Sequence, residues 1–175
     1  RADLAAIEKS VGMIANVERV MASAPPLLKG HNVLWELFAQ TTLTPIEQQV
    51  VYQVANFENE CEYCMPWHTR LSEQAGMLPA DIAALRDGRP LGNARLEALR
   101  RFTRLMIQNR GKLAPADLDR FFSAGYTPTN ALEVILGLSI KVMTNYTNSI
   151  AGTPLDACVL DHAWRKPKAA ERRAE

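Results

Sequence analysis

Apolar side chains recur every three or four positions along most of this chain, which is the spacing of one face of an α-helix. No segment shows the strict alternation of apolar and polar residues that a half-buried β-strand requires. The two clearest helical repeats are Ile46, Val50, Val54 and Phe57 in one segment, and Leu96, Leu99, Phe102 and Met106 in another. The pattern predicts an all-α protein, folded as a multi-helix bundle.

Prolines indicate where several of these helices begin, because proline is tolerated in the first turn, where its missing N–H has no intrahelical partner. Five of them follow a capping residue or open an apolar run: Pro45, Pro79, Pro115, Pro128 and Pro154. We therefore expect helices over about 3–22, 26–40, 45–57, 61–75, from Pro79, from Leu96 to Gly111, from Pro115, and over 128–150. One domain should span residues 1–163, followed by a charged and frayed tail over 164–175.

The segment 128–150 is apolar almost all round its helical axis. Such a helix is either central and buried or shared with a partner chain. Its most apolar run, from Ala131 to Met143, is interrupted by Glu133 and Lys141, so it does not reach the ~18 uninterrupted apolar residues of a membrane span. We expect part of this helix to face a neighbouring subunit.

Composition removes several classes of protein. The 175 residues carry 20 basic and 19 acidic side chains, a formal charge of +1, without the basic excess of a nucleic-acid binder. Three cysteines are too few, and odd in number, for a disulfide-stapled secreted scaffold. The first residues show no apolar core of a signal peptide. We therefore expect a cytoplasmic protein that binds neither nucleic acid nor a membrane.

One motif carries chemistry: Cys61, Cys64 and His68, in the spacing C-x-x-C-x-x-x-H. On a helix these three residues form one stripe, so the thiols can close a disulfide and the imidazole can accept a thiol proton. Asn59 as an N-cap and Pro66 near the helix start would put both thiols in the first turn. There the helix dipole favours a thiolate, and the thiol pKa falls. This arrangement is typical of a reactive dithiol.

Three other interpretations compete with the dithiol. The cysteines can be small buried hydrophobic residues. They can also form half of a zinc site, completed by Cys158 and His162, although a chain with a full apolar core has little need of structural zinc. A thioredoxin-like site needs a βαβ context, which the pattern does not predict. The histidine at the matching turn favours the redox interpretation, without a metal or organic cofactor.

The preceding helix should supply the neighbours of His68. If it packs antiparallel to the motif helix, Glu47 can orient or charge the imidazole. The same residue also fits a capping box with Thr44, so both roles stay open. Gln49 and Gln53 are the other polar side chains of this helix that can reach the site.

The motif and its surroundings resemble the alkylhydroperoxidase D-like branch of the carboxymuconolactone decarboxylase superfamily. The resemblance covers roughly residues 10–160. It rests on Leu43–Val50, on Asn59–Cys64 with His68, on Ala75-Gly76, and on the later segments Ala124–Tyr126, Asn145–Asn148 and Pro154–Asp156. It implies an all-α fold that forms homo-oligomers, often trimers or hexamers, and reduces hydroperoxides with thiols.

By this resemblance Cys64 is the peroxidatic thiol, Cys61 the resolving thiol and His68 the proton relay. A dithiol protein or small thiol then restores the pair, and Tyr63, Met65 and Trp67 form an apolar wall unless they are ordinary core residues. One position departs from the family, since its acidic relay residue is replaced here by Gln49, and an amide cannot take up a proton as a carboxylate does. Glu47 is then the candidate substitute. The alternative function is a non-enzymatic helical oligomer that senses redox state or binds zinc.

Overall fold

The computed structural model of the protein describes residues 13–168. Within that range the chain forms eight α-helices and one 3₁₀ helix and contains no strand, which confirms the all-α prediction. The helices are α1 (Asn16–Met21), α2 (Pro25–Ala39), α3 (Pro45–Glu58), α4 (Cys64–Gln74), α5 (Pro79–Asp87), α6 (Ala94–Gln108), α7 (Pro115–Ser123) and α8 (Pro128–Ala151), followed by the 3₁₀ helix Ala157–His162.

Proline and threonine set the helix starts, as predicted. Four of the five prolines are the first residues of α3, α5, α7 and α8. Thr44 and Thr127 cap α3 and α8 by accepting the backbone N–H of Glu47 and Asn130. The prediction for Pro154 is wrong, because this proline lies in the irregular link between α8 and the 3₁₀ helix.

Helix α3 lies at the centre of the bundle. It packs against α4, α6 and α8, and every residue from Val50 to Phe57 is buried. At Gly137 of α8, an added Cβ atom would lie 2.7 Å from Phe38 Cζ and 2.9 Å from Val51 Cγ1. Glycine therefore allows α8 to pack directly on α2 and α3.

Helix α8 buries one face and exposes the other. Its inner face includes Val134 and Ile140, both fully buried. Its outer face carries large apolar side chains, of which Ile150 is 88% exposed; the others are Leu132, Ile135, Val142 and Tyr146. Val33 and Leu37 of α2 are also exposed. This outer face is the surface for which a neighbouring subunit is predicted.

The ends of the chain are only partly described. The predicted first helix 3–22 lies partly outside the described residues, and its described part is α1. Two residues of the tail predicted over 164–175 make contacts with the bundle. Trp164 packs against Phe57 and Met65, and Lys166 pairs with Glu60 at 3.0 Å. Residues 169–175 lie outside the described residues. Between residues 13 and 168 no helix combines the length and the apolar character that a membrane span needs.

Candidate active site

A tight turn connects α3 to the first cysteine. Asn59 caps the C-terminus of α3, Glu60 adopts the left-handed conformation with φ of 53°, and the Cys61 N–H donates to Asn56 O at 2.9 Å. Together with the bond from Glu60 N to Phe57 O, this is a Schellman motif. The prediction of Asn59 as an N-cap of the motif helix is therefore wrong, since it ends the preceding helix.

The two cysteines lie at the N-terminus of α4, but only one belongs to the helix. Cys64 is the first residue of α4, and Pro66 follows in the first turn, as expected. Cys61 precedes the helix, and its Sγ accepts the backbone N–H of Cys64 at 3.1 Å. Both thiols are buried and free. The unpaired N–H groups of the first turn therefore favour negative charge at this pair.

His68, one turn further along α4, is held at both ring nitrogens. Its Nδ1 lies 2.9 Å from Gln49 Oε1, and its Nε2 lies 2.9 Å from Lys141 Nζ. An ammonium group only donates, so Nε2 accepts, and the ring proton sits on Nδ1 and is donated to Gln49. Burial, followed by the charges of Lys141 and His31, lowers the pKa of His68 well below its ordinary value. His68 is therefore neutral in this arrangement.

This geometry changes the expected role of His68. Its described hydrogen bonds are to Gln49 and Lys141, and none of them reaches Cys64. The nitrogen that would accept a thiol proton is already occupied by Lys141. A direct transfer of the Cys64 proton to His68 has no support in these contacts.

Of the two roles left open for Glu47, the structure shows the cap. Its carboxylate accepts the Thr44 N–H at 2.8 Å and Arg95 Nε at 3.0 Å. Burial would raise its pKa, but the hydrogen bonds with Thr44 and Arg95 outweigh burial and lower it. The described contacts do not bring Glu47 to His68. Gln49 occupies the position beside the imidazole that Glu47 was expected to fill.

Lys141 is a residue whose role the sequence pattern did not reveal. It lies in the middle of α8, is 1% exposed, and its Nζ lies 5.5 Å from the centre of the Tyr52 ring. No ion pair joins it to a carboxylate within residues 13–168. The available signal was a lysine inside a helix that is otherwise apolar almost all round, since a buried ammonium needs a compensating partner.

Two asparagines of α8 complete the surroundings of the thiols. Asn148 Nδ2 lies 3.2 Å from Cys64 Sγ and 3.9 Å from Cys61 Sγ. Asn145 donates to Asn56 Oδ1 at 3.0 Å and helps to lower the pKa of the Cys64 thiol. The Oδ1 atom of Asn148 is buried and has no hydrogen-bond partner among the described residues. It is therefore free to accept a hydrogen bond from a bound molecule.

The two thiols differ in acidity. Burial would raise the pKa of Cys64, but the Cys61 thiol, the Lys141 charge and the two asparagine amides outweigh burial and lower it. The hydrogen bond to Cys64, followed by burial, raises the pKa of Cys61. The shared proton of the pair therefore stays on Cys61, and Cys64 is the thiol that ionises more readily.

A cavity of about 630 Å³ opens onto Cys64 and not onto Cys61. The polar residues that line it include His68, Lys141 and Asn148, together with the acidic residues Glu18 and Glu36. Tyr63, Trp67 and Trp35 form aromatic parts of the wall. Met65, expected in this wall, instead packs against Phe57 and Trp164.

A buried carboxylate holds this wall in place. Asp156 accepts hydrogen bonds from the Tyr63 hydroxyl, from Trp67 Nε1 at 2.9 Å and from the Asn16 backbone N–H at 3.1 Å. The link after α8 is thereby tied both to α1 and to the start of α4. The two aromatic rings consequently have fixed orientations beside Cys64.

The residues proposed for a zinc site are not brought together. Cys158 Sγ lies 3.9 Å from Met13 Sδ, and His162 Nε2 lies 3.3 Å from Glu73 Oε2. Across the described part of the chain, no group of three or more His, Cys, Asp and Glu side chains is arranged to hold a metal ion. The Cys₃His zinc site is therefore wrong as an interpretation of the motif.

Comparison with known proteins finds a family that the segment carrying this site resembles. The sequence profile of the carboxymuconolactone decarboxylase family matches residues 31–105, which include the dithiol and His68. No functionally curated protein matches the chain by sequence.

Solved structures share the fold over most of the chain. An uncharacterized peroxidase-related protein from Ralstonia eutropha JMP134, described as an alkylhydroperoxidase AhpD core, has a TM-score of 0.81 at 15% identity, covering 91% of this chain and 86% of its own. A peroxidase-related protein from Silicibacter sp. TM1040 has a TM-score of 0.75 at 19% identity, over 89% and 84%. The debrominase Bmp8, in a cysteine-to-alanine variant bound to 2,3,4-tribromopyrrole, has a TM-score of 0.73 at 14% identity, over 93% and 89%.

At these identities the structural matches establish the fold, and the profile match adds the segment that carries the motif. Residues 31–105 therefore match the carboxymuconolactone decarboxylase family, and the chain as a whole shares the fold of the alkylhydroperoxidase AhpD core.

Proposed function

We propose that the protein is a thiol-dependent peroxidase that reduces hydroperoxides with the Cys61–Cys64 dithiol. One observation carries the proposal: the thiol that lines the cavity, Cys64, is also the one whose pKa is lowered. Cys61 does not line the cavity, accepts the Cys64 backbone N–H through its sulfur, and retains its proton. A nucleophile facing the substrate space with a second thiol beside it is the arrangement that a two-cysteine reduction needs.

The cycle has two steps in the protein and one with an external reductant. The Cys64 thiolate attacks the terminal oxygen of ROOH, the O–O bond breaks, and the leaving RO⁻ takes a proton to become ROH. The resulting Cys64 sulfenic acid condenses with the Cys61 thiol, forming the disulfide and releasing water. A dithiol protein or small thiol then reduces the disulfide by exchange.

The cavity favours organic hydroperoxides. Its aromatic wall of Tyr63, Trp67 and Trp35 suits an apolar R group. The buried Asn148 Oδ1, which has no described partner, can accept the O–H of the terminal oxygen close to Cys64 Sγ. The likeness in fold to peroxidase-related proteins supports the same chemistry, although only at the level of the family.

Titration of the reduced protein with cumene hydroperoxide tests this function. One equivalent should remove the thiols of Cys61 and Cys64, lower the mass by two hydrogen atoms and leave Cys158 reduced as an internal control. Addition of dithiothreitol with excess hydroperoxide should then give continuous turnover. A disulfide that forms but never turns over would indicate a redox sensor instead, and thiols that do not react would contradict both functions.

We also propose that the exposed apolar face of α8 is an interface between copies of this chain. Tyr146 and Val142 lie on this face, with 54% and 45% exposure, and they are surrounded by other apolar side chains. Exposed apolar patches of this kind are typical of protein–protein interfaces, because burying them removes apolar surface from water. The resemblance to trimeric or hexameric relatives leads to the same expectation.

Substitution Tyr146→Glu should shift the protein from an oligomer towards a 19.5 kDa monomer in analytical ultracentrifugation, because it places a charge in the buried interface. Lys112→Glu, at an exposed position on the α6–α7 loop, changes the net charge by a larger amount and should leave the assembly intact. A wild-type monomer at micromolar concentration would contradict the interface.

A further inference from the structure

Lys141 is buried without a carboxylate partner, so its charge must be balanced by another group. The titratable groups that face it are His31 from α2, Tyr52 from α3, and Cys64 and His68 from α4. Burial raises the pKa of Tyr52 far above neutrality, and both histidines have lowered pKa values, so these three groups are uncharged. Glu36 of α2 lines the same cavity, but no described hydrogen bond or ion pair joins it to Lys141. The Cys64 thiolate is therefore the anion that balances the Lys141 charge.

The proton needed by the leaving oxygen also has few sources. Asn148 and Asn145 carry no releasable proton, and the proton of His68 is on Nδ1, directed to Gln49. Glu18 lines the same cavity, but its carboxylate accepts the Ala15 N–H at 2.8 Å. Lys141 lines the cavity, carries three N–H groups, and uses one of them on His68 Nε2.

We propose that Lys141 is a catalytic residue, which balances the charge of the Cys64 thiolate and donates the proton to the leaving oxygen of the hydroperoxide. His68 then acts as a positioning residue, because its Nε2 holds the ammonium at 2.9 Å while Gln49 fixes the ring. The proton transfer rests on the proposed peroxidase function, whereas the charge balance does not depend on it.

The step balances in atoms and charge. The reduced site holds Lys141–NH₃⁺, Cys64–S⁻ and Cys61–SH. Attack on ROOH breaks the O–O bond, oxidises the sulfur to S–OH and reduces the leaving oxygen to RO⁻, which takes a proton from Lys141 to become ROH. The Cys61 thiol proton leaves with the sulfenic hydroxyl as water when the disulfide forms. Lys141 is then neutral beside a neutral disulfide, so the buried site carries no net charge in either redox state.

Two substitutions separate the effect of the Lys141 charge from the effect of the proton that Lys141 donates. Lys141→Met removes both, whereas Lys141→Arg keeps the charge but has no readily released proton, because a guanidinium stays protonated. Lys112→Met, on the exposed α6–α7 loop, is the control for loss of a lysine elsewhere. Far-UV circular dichroism and thermal melting show which variants are folded, and the arginine variant carries the test if the methionine variant is not.

The effect of the Lys141 charge on the Cys64 thiolate is measured without peroxide. Thiolate absorbance at 240 nm, followed against pH, should show the Cys64 midpoint raised by ~1 unit or more in Lys141→Met and little changed in Lys141→Arg. Because the lower pKa depends on an adjacent cation, thiolate is lost as pH falls, and the methionine variant should lose it at a higher pH than the wild type. Equal midpoints in the wild type and Lys141→Met would overturn the charge balance.

The proton transfer is measured with two substrates at a pH where Cys64 is ionised in all variants. With cumene hydroperoxide, whose leaving alkoxide needs a proton, kcat/KM should fall by ~10²-fold or more in both Lys141 variants. With peracetic acid, whose leaving acetate needs none, the loss should be below ~10-fold. Equal losses with the two substrates would overturn the proton transfer. If the wild type consumes neither, the peroxidase function and the proton transfer fail together, and the absorbance titration still decides the charge balance.

Discussion

Replacing Cys64 by serine should reduce hydroperoxide consumption by at least ~10³-fold, because a hydroxyl in the same place is not ionised at neutral pH and is a far weaker nucleophile. The lowered thiol pKa, the access to the cavity and the Asn148 contact at 3.2 Å all belong to Cys64. The measurement is peroxide loss with dithiothreitol as reductant, for cumene hydroperoxide and for hydrogen peroxide.

Two further cysteine variants complete this test. Cys61→Ser should still react once, giving a stable sulfenic acid at Cys64 that dimedone traps, but it should not form the intramolecular disulfide. Cys158→Ser should have wild-type turnover, since that thiol lies beside Met13 and outside the dithiol. Steady turnover by Cys64→Ser would show that the nucleophile has been assigned to the wrong residue.

Substitution Gly137→Ala should destabilise the protein by ~1–3 kcal/mol, although alanine is normally the better helix former. The added methyl would lie 2.7 Å from the ring of Phe38 and 2.9 Å from Val51, and both of these side chains are fully buried. Removing this overlap requires α8 to move away from Phe38 and Val51. Because Lys141 follows Gly137 by one helical turn, the same movement should also weaken the 2.9 Å contact with His68.

Gly30→Ala is the matched control, since Gly30 is also a glycine inside a helix. Its new methyl would meet only the flexible end of Met143, at 3.3 Å. Thermal melting should show a lower midpoint for Gly137→Ala, by ~2–4 °C for each kcal/mol of stability lost. The midpoint of Gly30→Ala should be unchanged or higher. An unchanged midpoint in Gly137→Ala would mean that α8 is not packed as tightly as described.

The parts of this fold that are predictable from sequence depend on local signals. Thr44 with Pro45, and Thr127 with Pro128, mark helix starts because capping and the proline ring act within one turn. The grouping of Cys61, Cys64 and His68 is equally local, since all three lie within eight consecutive residues. These features do not require knowledge of which helices pack together.

The neighbours of the motif could not be predicted in the same way. Glu47 and Gln49 are two positions apart on α3 and therefore point to different faces, so the identity of the residue beside His68 depends on how α3 is rotated. Lys141 is 73 residues from His68, and Asn148 is 84 residues from Cys64. Their contacts arise only when α8 packs on α3 and α4, for which a single sequence contains no local signal.

The carboxylate of Asp156 has a consequence for how the protein folds. It joins residues 140 positions apart, Asn16 in α1 and Asp156 after α8, and it also fixes Tyr63 and Trp67. Contacts of such long range carry a high entropic cost of loop closure and tend to form late in folding. The cavity wall is therefore completed only after α1 and the link that follows α8 have docked, and a growing chain on the ribosome has no finished site until the segment around Asp156 has emerged.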